Sequence, residues 1–301
     1  MTLPITVVIP AYNRLAELER ALQSLVTQTC KTFEVVVCDD GSSEDVRGVV
    51  SRYADRLRLQ YVRIENSGSP ARPRNAATSL ASGTWISFLD SDDWWKPERI
   101  ECILSALASD VDVVYHKLHV VFPEHKSAPR GCSRMVGTSC GADPLRFMVT
   151  RGNPIPNSAA LVRRTSLERL GGISEDRRLA AVEDFDTWLQ LATSGARFLF
   201  VDSALGYYSV TPDSISTFSI QQLERQKALF DKHLPIVPER LKAMANAHFN
   251  YLIGSYALRL GLLSRAREHL ALVQFGASPA RWVQSMIKRT YLRLRPILRA
   301  H

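Results

Sequence analysis

The chain has 301 residues, 46% of them hydrophobic and 23% charged, with 38 basic against 30 acidic side chains and a formal net charge of +8. That length and apolar content support a large domain with a packed core and room for a smaller appendage, and they exclude collagen-like, low-complexity and disordered classes. No uninterrupted apolar run reaches the ~18 residues that span a bilayer, and the opening "MTLPITVVIPAYNR" lacks the charged segment, long apolar stretch and cleavage site of a secretory leader, so the expected location is cytoplasmic. Cys30, Cys38, Cys102, Cys132 and Cys140 form no close CxxC pair, which argues against a disulfide framework and a structural zinc site.

In chain order, short β-branched runs alternate with amphipathic stretches: "ITVVI", a helix over 15–28, "FEVVVC", a helix near 44–53, "LQYVRI", a helix near 71–80, "TWISFL", then a helix after Pro97. This alternation predicts a doubly wound, mainly parallel α/β sheet with helices on both faces. The unbroken apolar run through Val35, Val36 and Val37 fits a strand buried on both sides. From 117 to 158 the Pro, Gly and Ser content predicts long surface loops. Regularity returns with "AALVRRTSLERLGGI" and "EDFDTWLQLATSGARFLFV", and after Ile220 the chain reads as helices. The expected organisation is a domain over 1–219 and a helical extension over 220–301.

Polar clusters follow each of the first strands: "PAYNR", "DDGSS", "NSGSPARPRN" and "DSDD". Ligands of such sheets sit at the carboxyl ends of the strands, so these clusters are expected to share one crevice. Asp90 and Asp92, two apart at a strand end, can point to one side, and converging carboxylates suit a hard cation such as Mg²⁺ or Mn²⁺. Asp93 reads as a cap for the helix that Pro97 helps to start. Each cluster alone is also ordinary turn or cap chemistry; their conjunction is what points to a site.

On these residues the chain resembles the family-2 glycosyltransferases of GT-A fold, over roughly 5–216. "VVIPAYNR" resembles the family's opening strand and nucleotide-contacting turn, which implies Pro10, Ala11 and Tyr12 against base and ribose. "VCDDGSS" is similar to the second motif, implying Asp39 on the base or ribose with Asp40 beside it. "NSGSPARPRNAA" looks like the donor-binding stretch, with Asn66, Gly68, Arg74 and Asn75 in matching places. "FLDSDDWWKP" looks like the DXD region, implying Asp90, Ser91 and Asp92 at the diphosphate, with Asp90 and Asp92 as metal ligands. "AVEDFDTWLQLA" resembles the helix start that carries the catalytic acids, implying Asp184 as general base with Glu183 in support; without the resemblance these two read as a first-turn acid pair. The segment "YYSVTPDSIS" departs from the family, with Ser209 where Arg is usual and Thr211 where His is usual.

The resemblance implies an inverting, Mg²⁺- or Mn²⁺-dependent hexosyltransferase-like enzyme. It would take a nucleotide-sugar donor, UDP-sugar favoured, and a glycan or lipid-linked acceptor in polysaccharide or lipopolysaccharide synthesis. The competing readings are a catalytically inactive nucleotide-sugar-binding protein of the same fold and an unrelated metal-dependent phosphatase or nucleotidyltransferase. The third is disfavoured because the acidic clusters follow the second and fourth strands. Trp94 and Trp95 read either as a sugar platform or as core. His116, His119 and His125 lack metal-ligand spacing.

From 271 to the end there are six basic residues and no acidic one. Between 280 and 295, Trp282, Val283, Met286, Ile287, Tyr291 and Leu294 recur at helical spacing, with Arg281, Lys288, Arg289 and Arg293 largely on the other side. Pro296 is expected to stop this helix. It reads equally as a peripheral anchor on the cytoplasmic face of an anionic membrane and as a terminal helix packed on its own domain. No nucleic-acid partner is expected.

Overall fold

Apolar β-branched runs followed by turn-forming residues build the central sheet of the protein, a computed structural model that describes residues 4–122, 134–210 and 218–298. The first half runs β1 (Ile5–Ala11), α1 (Leu15–Val26), β2 (Phe33–Asp39), α2 (Val46–Ser51), β3 (Leu59–Arg63), α3 (Ala71–Ser79), β4 (Trp85–Phe88), β5 (Trp94–Trp95) and α4 (Arg99–Ala106). Every residue of β1, β2 and β4 is buried, as strands covered on both faces require. After them come β6 (Val113–Val121), β7 (Met135–Val136), α5 (Pro144–Arg151), β8 (Ala160–Arg163), α6 (Arg164–Arg169), α7 (Glu183–Thr193) and β9 (Phe198–Ser209). The remainder is helical: α8 (Ile220–His233), α9 (Glu239–Arg259), α10 (Leu263–Ala271) and α11 (Pro279–Leu298).

Nine strands form one mixed sheet among the described residues, in the order β3-β2-β1-β4-β8-β6-β9-β5, with β7 on β6. The expected parallel core is β3-β2-β1-β4. Beyond it β8 runs antiparallel to both β4 and β6, β9 runs parallel to β6, and β5 runs antiparallel to β9. The parallel character therefore belongs to the first half only. The long-loop expectation for 117–158 meets a strand that continues to Val121 and a helix, α5, whose Asp143 cap accepts from the Arg146 amide at 2.9 Å ahead of Pro144 in the first turn.

The chain divides into two compact units, one of residues 1–140 and 153–214, the other of 141–152 and 215–301. The first holds the sheet. In the second, α5 belongs with the C-terminal helices, around Leu223, Phe249, Ile253, Ala257, Ala266, Leu270 and Leu292.

Within the sheet a buried acid aligns the strands that carry the site. Glu34 Oε1 accepts from Thr6 Oγ1 at 2.6 Å, the Ser82 amide at 2.7 Å and Ser82 Oγ at 2.9 Å, which joins β1, β2 and the turn into β4. Burial alone raises the Glu34 carboxyl, but these hydrogen bonds outweigh it and hold the group below the usual glutamate range. A depressed carboxylate stabilises the fold above its unfolded value, and that contribution is lost as pH falls through the folded one. Glu34→Gln is expected to lose about 1–3 kcal/mol at neutral pH, with the gap to wild type closing in acid, as read from denaturant melts across pH.

Candidate active site

The parallel strands end together. Ala11 lies opposite Asp39 and Asp39 opposite Arg63, while Val8 lies opposite Phe88, so the turns after β1, β2, β3 and β4 occupy one edge of the sheet. Pro10 and Ala11 are buried within β1, and Tyr12 is the residue of that motif whose side chain reaches solvent. Asn13 and Arg14 then both adopt left-handed backbone, φ 53° and 60°, an uncommon pair of conformations for non-glycine residues. Hydrogen bonds hold the pair: the Asn13 amide donates to Ser42 Oγ at 2.8 Å, and Asn13 Oδ1 accepts from the Ser43 amide at 3.0 Å. The bend carries Arg14 to Asp92, with Nη1 donating to Oδ2 at 2.6 Å.

At the end of β2, Asp39 is fully buried. Its Oδ1 accepts from the Ser42 amide at 2.8 Å, and its Oδ2 from Tyr61 Oη at 2.7 Å and Arg63 Nη1 at 3.1 Å. Asp40 accepts from the Ser67 amide and Ser67 Oγ, each at 2.9 Å. Burial pushes the Asp40 carboxyl above the usual range, opposed by Ser67 and by the positive charge of Arg72. Gly41 sits at φ +74° where a Cβ would stand 2.6 Å from the Asn66 amide nitrogen, so this crossing of two turns requires glycine. Asn66 is exposed, with Nδ2 on the Asp40 carbonyl at 3.0 Å, and Gly68 is exposed with open space around it.

The centre of the site is Arg74. It is buried at the start of α3 and donates through Nη2 to Asp90 Oδ1 and through Nη1 to Glu183 Oε1, each at 2.5 Å. Asp90 also accepts from Asn157 Nδ2 at 3.0 Å, and its amide donates to Ser158 Oγ at 3.0 Å. Asp184, next to Glu183 in the first turn of α7, is half-buried and accepts from Asn153 Nδ2 at 3.1 Å. Its carboxyl is pushed up to about 7 by loss of solvent and by the Glu183 charge, against the pull of Arg74. Burial and the Asp90 charge likewise raise Asp92, with Arg14 opposing them.

Thus Asp90, Asp92, Arg74, Glu183 and Asp184 come to one edge, and Ser91 lies half-buried in the turn between the first two. Two expectations meet a different arrangement. Asn75 is spent on structure: Nδ2 donates to the Ile173 carbonyl at 2.8 Å and to Glu175 Oε1 at 2.9 Å, and Oδ1 accepts from the Ile173 amide at 2.9 Å. Asp93 caps no helix, because β5 intervenes before α4. It is buried, accepts from the Ser209 amide at 2.8 Å, and is raised well above the usual range by burial and by Asp92 and Asp90. Trp95 is core, with Nε1 on the Ser158 carbonyl at 2.8 Å, and Trp94 is stacked on Tyr207 at 5.0 Å with the Arg20 guanidinium 4.0 Å from its ring centroid. His116 is buried and accepts from Arg99 Nε at 3.2 Å, a packing contact; His125 and Thr211 lie outside the described residues.

Arg14, Asn153, Asn157 and Ser158 are contributors with no individual role legible in the motifs, although the last three lie in "GNPIPNSAALVRR", a stretch that resembles the family's acceptor-side segment. Asn13 and Arg14 lie within "PAYNR", and asparagine's tolerance of left-handed backbone is the available signal for the bend. Among the described residues, no group of three or more His, Cys, Asp and Glu side chains gathers to hold a metal. Asp90 and Asp92 are a pair of mutually repelling, partly exposed carboxylates. Mg²⁺ sites completed by substrate phosphates typically use such a donor set of one or two carboxylates.

The sequence profile described as "Glycosyl transferase family 2" matches residues 6–170. Validoxylamine A glucosyltransferase of Streptomyces hygroscopicus subsp. jinggangensis is 45% identical over 107 residues, which is 35% of this chain and 25% of that protein. The chain therefore spans about a quarter of the length of that relative. The UDP-Glc:alpha-D-GlcNAc-diphosphoundecaprenol beta-1,3-glucosyltransferase WfaP of Escherichia coli is 26% identical over 222 residues, 74% of this chain and 83% of that protein. Among solved structures, S. aureus TarS 1-349 in complex with UDP matches with a TM-score of 0.65 at 20% identity, covering 96% of this chain and 86% of the other. Mannosyltransferase PcManGT from Pyrobaculum calidifontis, in complex with GDP-Man and Mn2+, matches with a TM-score of 0.64 at 22% identity, covering 96% and 80%. These likenesses carry the fold, which is the expected GT-A arrangement followed by C-terminal helices.

A carboxyl raised in the folded state weakens the fold as it ionises. Asp184→Asn is therefore expected to gain stability relative to wild type as pH rises from the ordinary aspartate value to about 7, and to show no advantage in acid. Paired thermal melts across pH check this.

Proposed function

The chain belongs to glycosyl transferase family 2, and we propose that it is an inverting, metal-assisted transferase that moves a sugar from a nucleotide-diphosphate donor to an acceptor hydroxyl. The observation that carries this reading is Arg74, a single buried guanidinium paired with both Asp90 and Glu183. Through it, the acids after β4 and the acids at the start of α7 share one charge network, as a reaction with a departing diphosphate and an attacking hydroxyl requires.

In this mechanism Asp184 accepts the acceptor's proton. A base works best with a pKa near the operating pH, and a carboxyl raised to about 7 meets that condition. Glu183 is held by Arg74 and acts as its charge partner. Arg14, also at this edge, is suited to charge-assisted bonds with the leaving diphosphate once a donor competes for its pairing with Asp92. Asp90 and Asp92 would hold Mg²⁺ or Mn²⁺, which when bound neutralises charge on the leaving diphosphate. One base and one direct displacement imply inversion at the anomeric carbon, by the logic that separates single from double displacement in glycosidases.

The exposed Tyr12 ring and the Asp39, Asp40, Asn66 and Gly68 turns are assigned to base and ribose. A UDP-sugar is favoured, supported by the UDP bound in TarS and the UDP-Glc in the name of WfaP. A glycan or lipid-linked acceptor is favoured on the printed acceptor of WfaP.

The test is release of nucleoside diphosphate from a panel of UDP-sugars with Mn²⁺, using cell-envelope glycolipid extract as acceptor. Asp184→Asn is expected to lower turnover by about 10²–10⁴-fold while UDP binding persists. Turnover unchanged in the variant would remove Asp184 from the role of base. A wild type that binds UDP and turns over no donor would instead mark a nucleotide-sugar-binding protein.

A further inference from the structure

The polarity of α11 in place is the reverse of an ordinary packed terminal helix. Its inward side carries Ser285 and Leu292, both fully buried, with Ser285 Oγ donating to the Leu270 carbonyl at 2.6 Å. Two of its basic residues are turned to the same unit: the Arg281 guanidinium and the Lys288 ammonium lie 4.8 Å and 4.3 Å from the Tyr251 ring centroid, and Lys288 Nζ donates to Ser255 Oγ at 2.5 Å. Four apolar residues face outward. Ile287 is 66% exposed, and Val283, Tyr291 and Leu294 are each close to half exposed. Positions 283, 287, 291 and 294 fall on one helical face, a stripe about 16 Å long at 1.5 Å per residue. At its head Phe275, also exposed, packs edge-on against Trp282 at 5.3 Å.

A continuous apolar stripe left in water marks an interaction surface, and the charge around it selects the occupant. Residues 271–301 contain six basic and no acidic side chains; Arg281 and Lys288 are turned inward, and Arg293 stands exposed beside the stripe. A second copy docking through this face would set two basic helices against each other with no acid from either to pair them. A nucleic acid would leave the apolar stripe unused. An anionic lipid surface matches both features, taking the apolar side chains into the acyl boundary and the exposed Arg293 at its headgroups. We propose that α11 seats the protein on an anionic lipid surface, lying in the plane of that surface with Val283, Ile287, Tyr291 and Leu294 inserted. The inference is independent of the transfer chemistry.

Co-sedimentation of the full chain with vesicles tests it, using phosphatidylcholine alone and phosphatidylcholine containing about a third phosphatidylglycerol. Wild type is expected to sediment with the anionic vesicles at least about tenfold more strongly than with the neutral ones, less so as salt rises. Ile287→Glu with Leu294→Glu, both at exposed positions, should lose at least about tenfold of that binding while melting at the wild-type temperature. Arg293→Glu, which leaves the stripe intact, should weaken the preference for anionic vesicles. Wild type remaining in the supernatant with both vesicle types overturns the proposal, as does undiminished binding by the double glutamate variant. A dimer in light scattering that the double variant dissolves, with no vesicle binding, also overturns it and makes the face a contact between copies.

Discussion

The site depends on one buried guanidinium. Arg74 begins α3, and its two partners lie 16 and 109 residues further along the chain, at the end of β4 and the start of α7. Taking a guanidinium out of water is costly, and removing one partner of a buried ion pair typically costs about 3–5 kcal/mol because the remaining charge is left uncompensated. Asp90 and Glu183 therefore have to meet Arg74 for these three segments to close together. The folding requirement and the functional geometry are satisfied by the same contact.

The network also sorts the acids into different roles. Asp39, within hydrogen bonds of Ser42, Tyr61 and Arg63, fixes the turn proposed to meet base and ribose. Glu183 is committed to Arg74. Asp184, next in the chain, has a neutral amide donor from Asn153 and an acid for a neighbour, and is raised. The rise comes from loss of solvent and from the charge of Glu183, against the pull of Arg74, an environment that gives a carboxyl an exchangeable proton near neutrality.

The parallel half of the sheet was legible because each strand is a continuous apolar run closed by turn residues and followed by a helical period. The helix expected over 15–28 is Leu15–Val26, and that near 71–80 is Ala71–Ser79. The antiparallel half was not legible in its pairing. β5 and β7 are two residues each, too short to show any period, and β8 joins β4 to β6 across the sheet in a way that no local pattern encodes. For α5 a signal was present in "GADPLRFMV", an aspartate cap followed by proline, but the surrounding Gly and Pro masked it. The candidate acids lie in motifs legible in the sequence, while the pairings of Arg14 with Asp92, Asn153 with Asp184 and Asn157 with Asp90 were not legible, because they arise from loops that meet only in the fold. The helical period of α11 was evident, but which side packs was decided by Tyr251 and Ser255 on α9, which hold Arg281 and Lys288 inward.

The most direct measurement on the central claim, that this edge of the sheet is a nucleotide-diphosphate site built on the β4 acids, is a thermal-shift panel. It would compare UDP, dTDP, GDP and CMP, with and without Mn²⁺, on wild type and Asp92→Asn. A ligand at about a hundredfold over its dissociation constant adds roughly 2.7 kcal/mol to the folded state, a readily visible shift. The account predicts a Mn²⁺-dependent shift with one nucleoside diphosphate that Asp92→Asn abolishes. A folded wild type that shifts with none of them, or an Asp92→Asn variant that shifts equally, would contradict it.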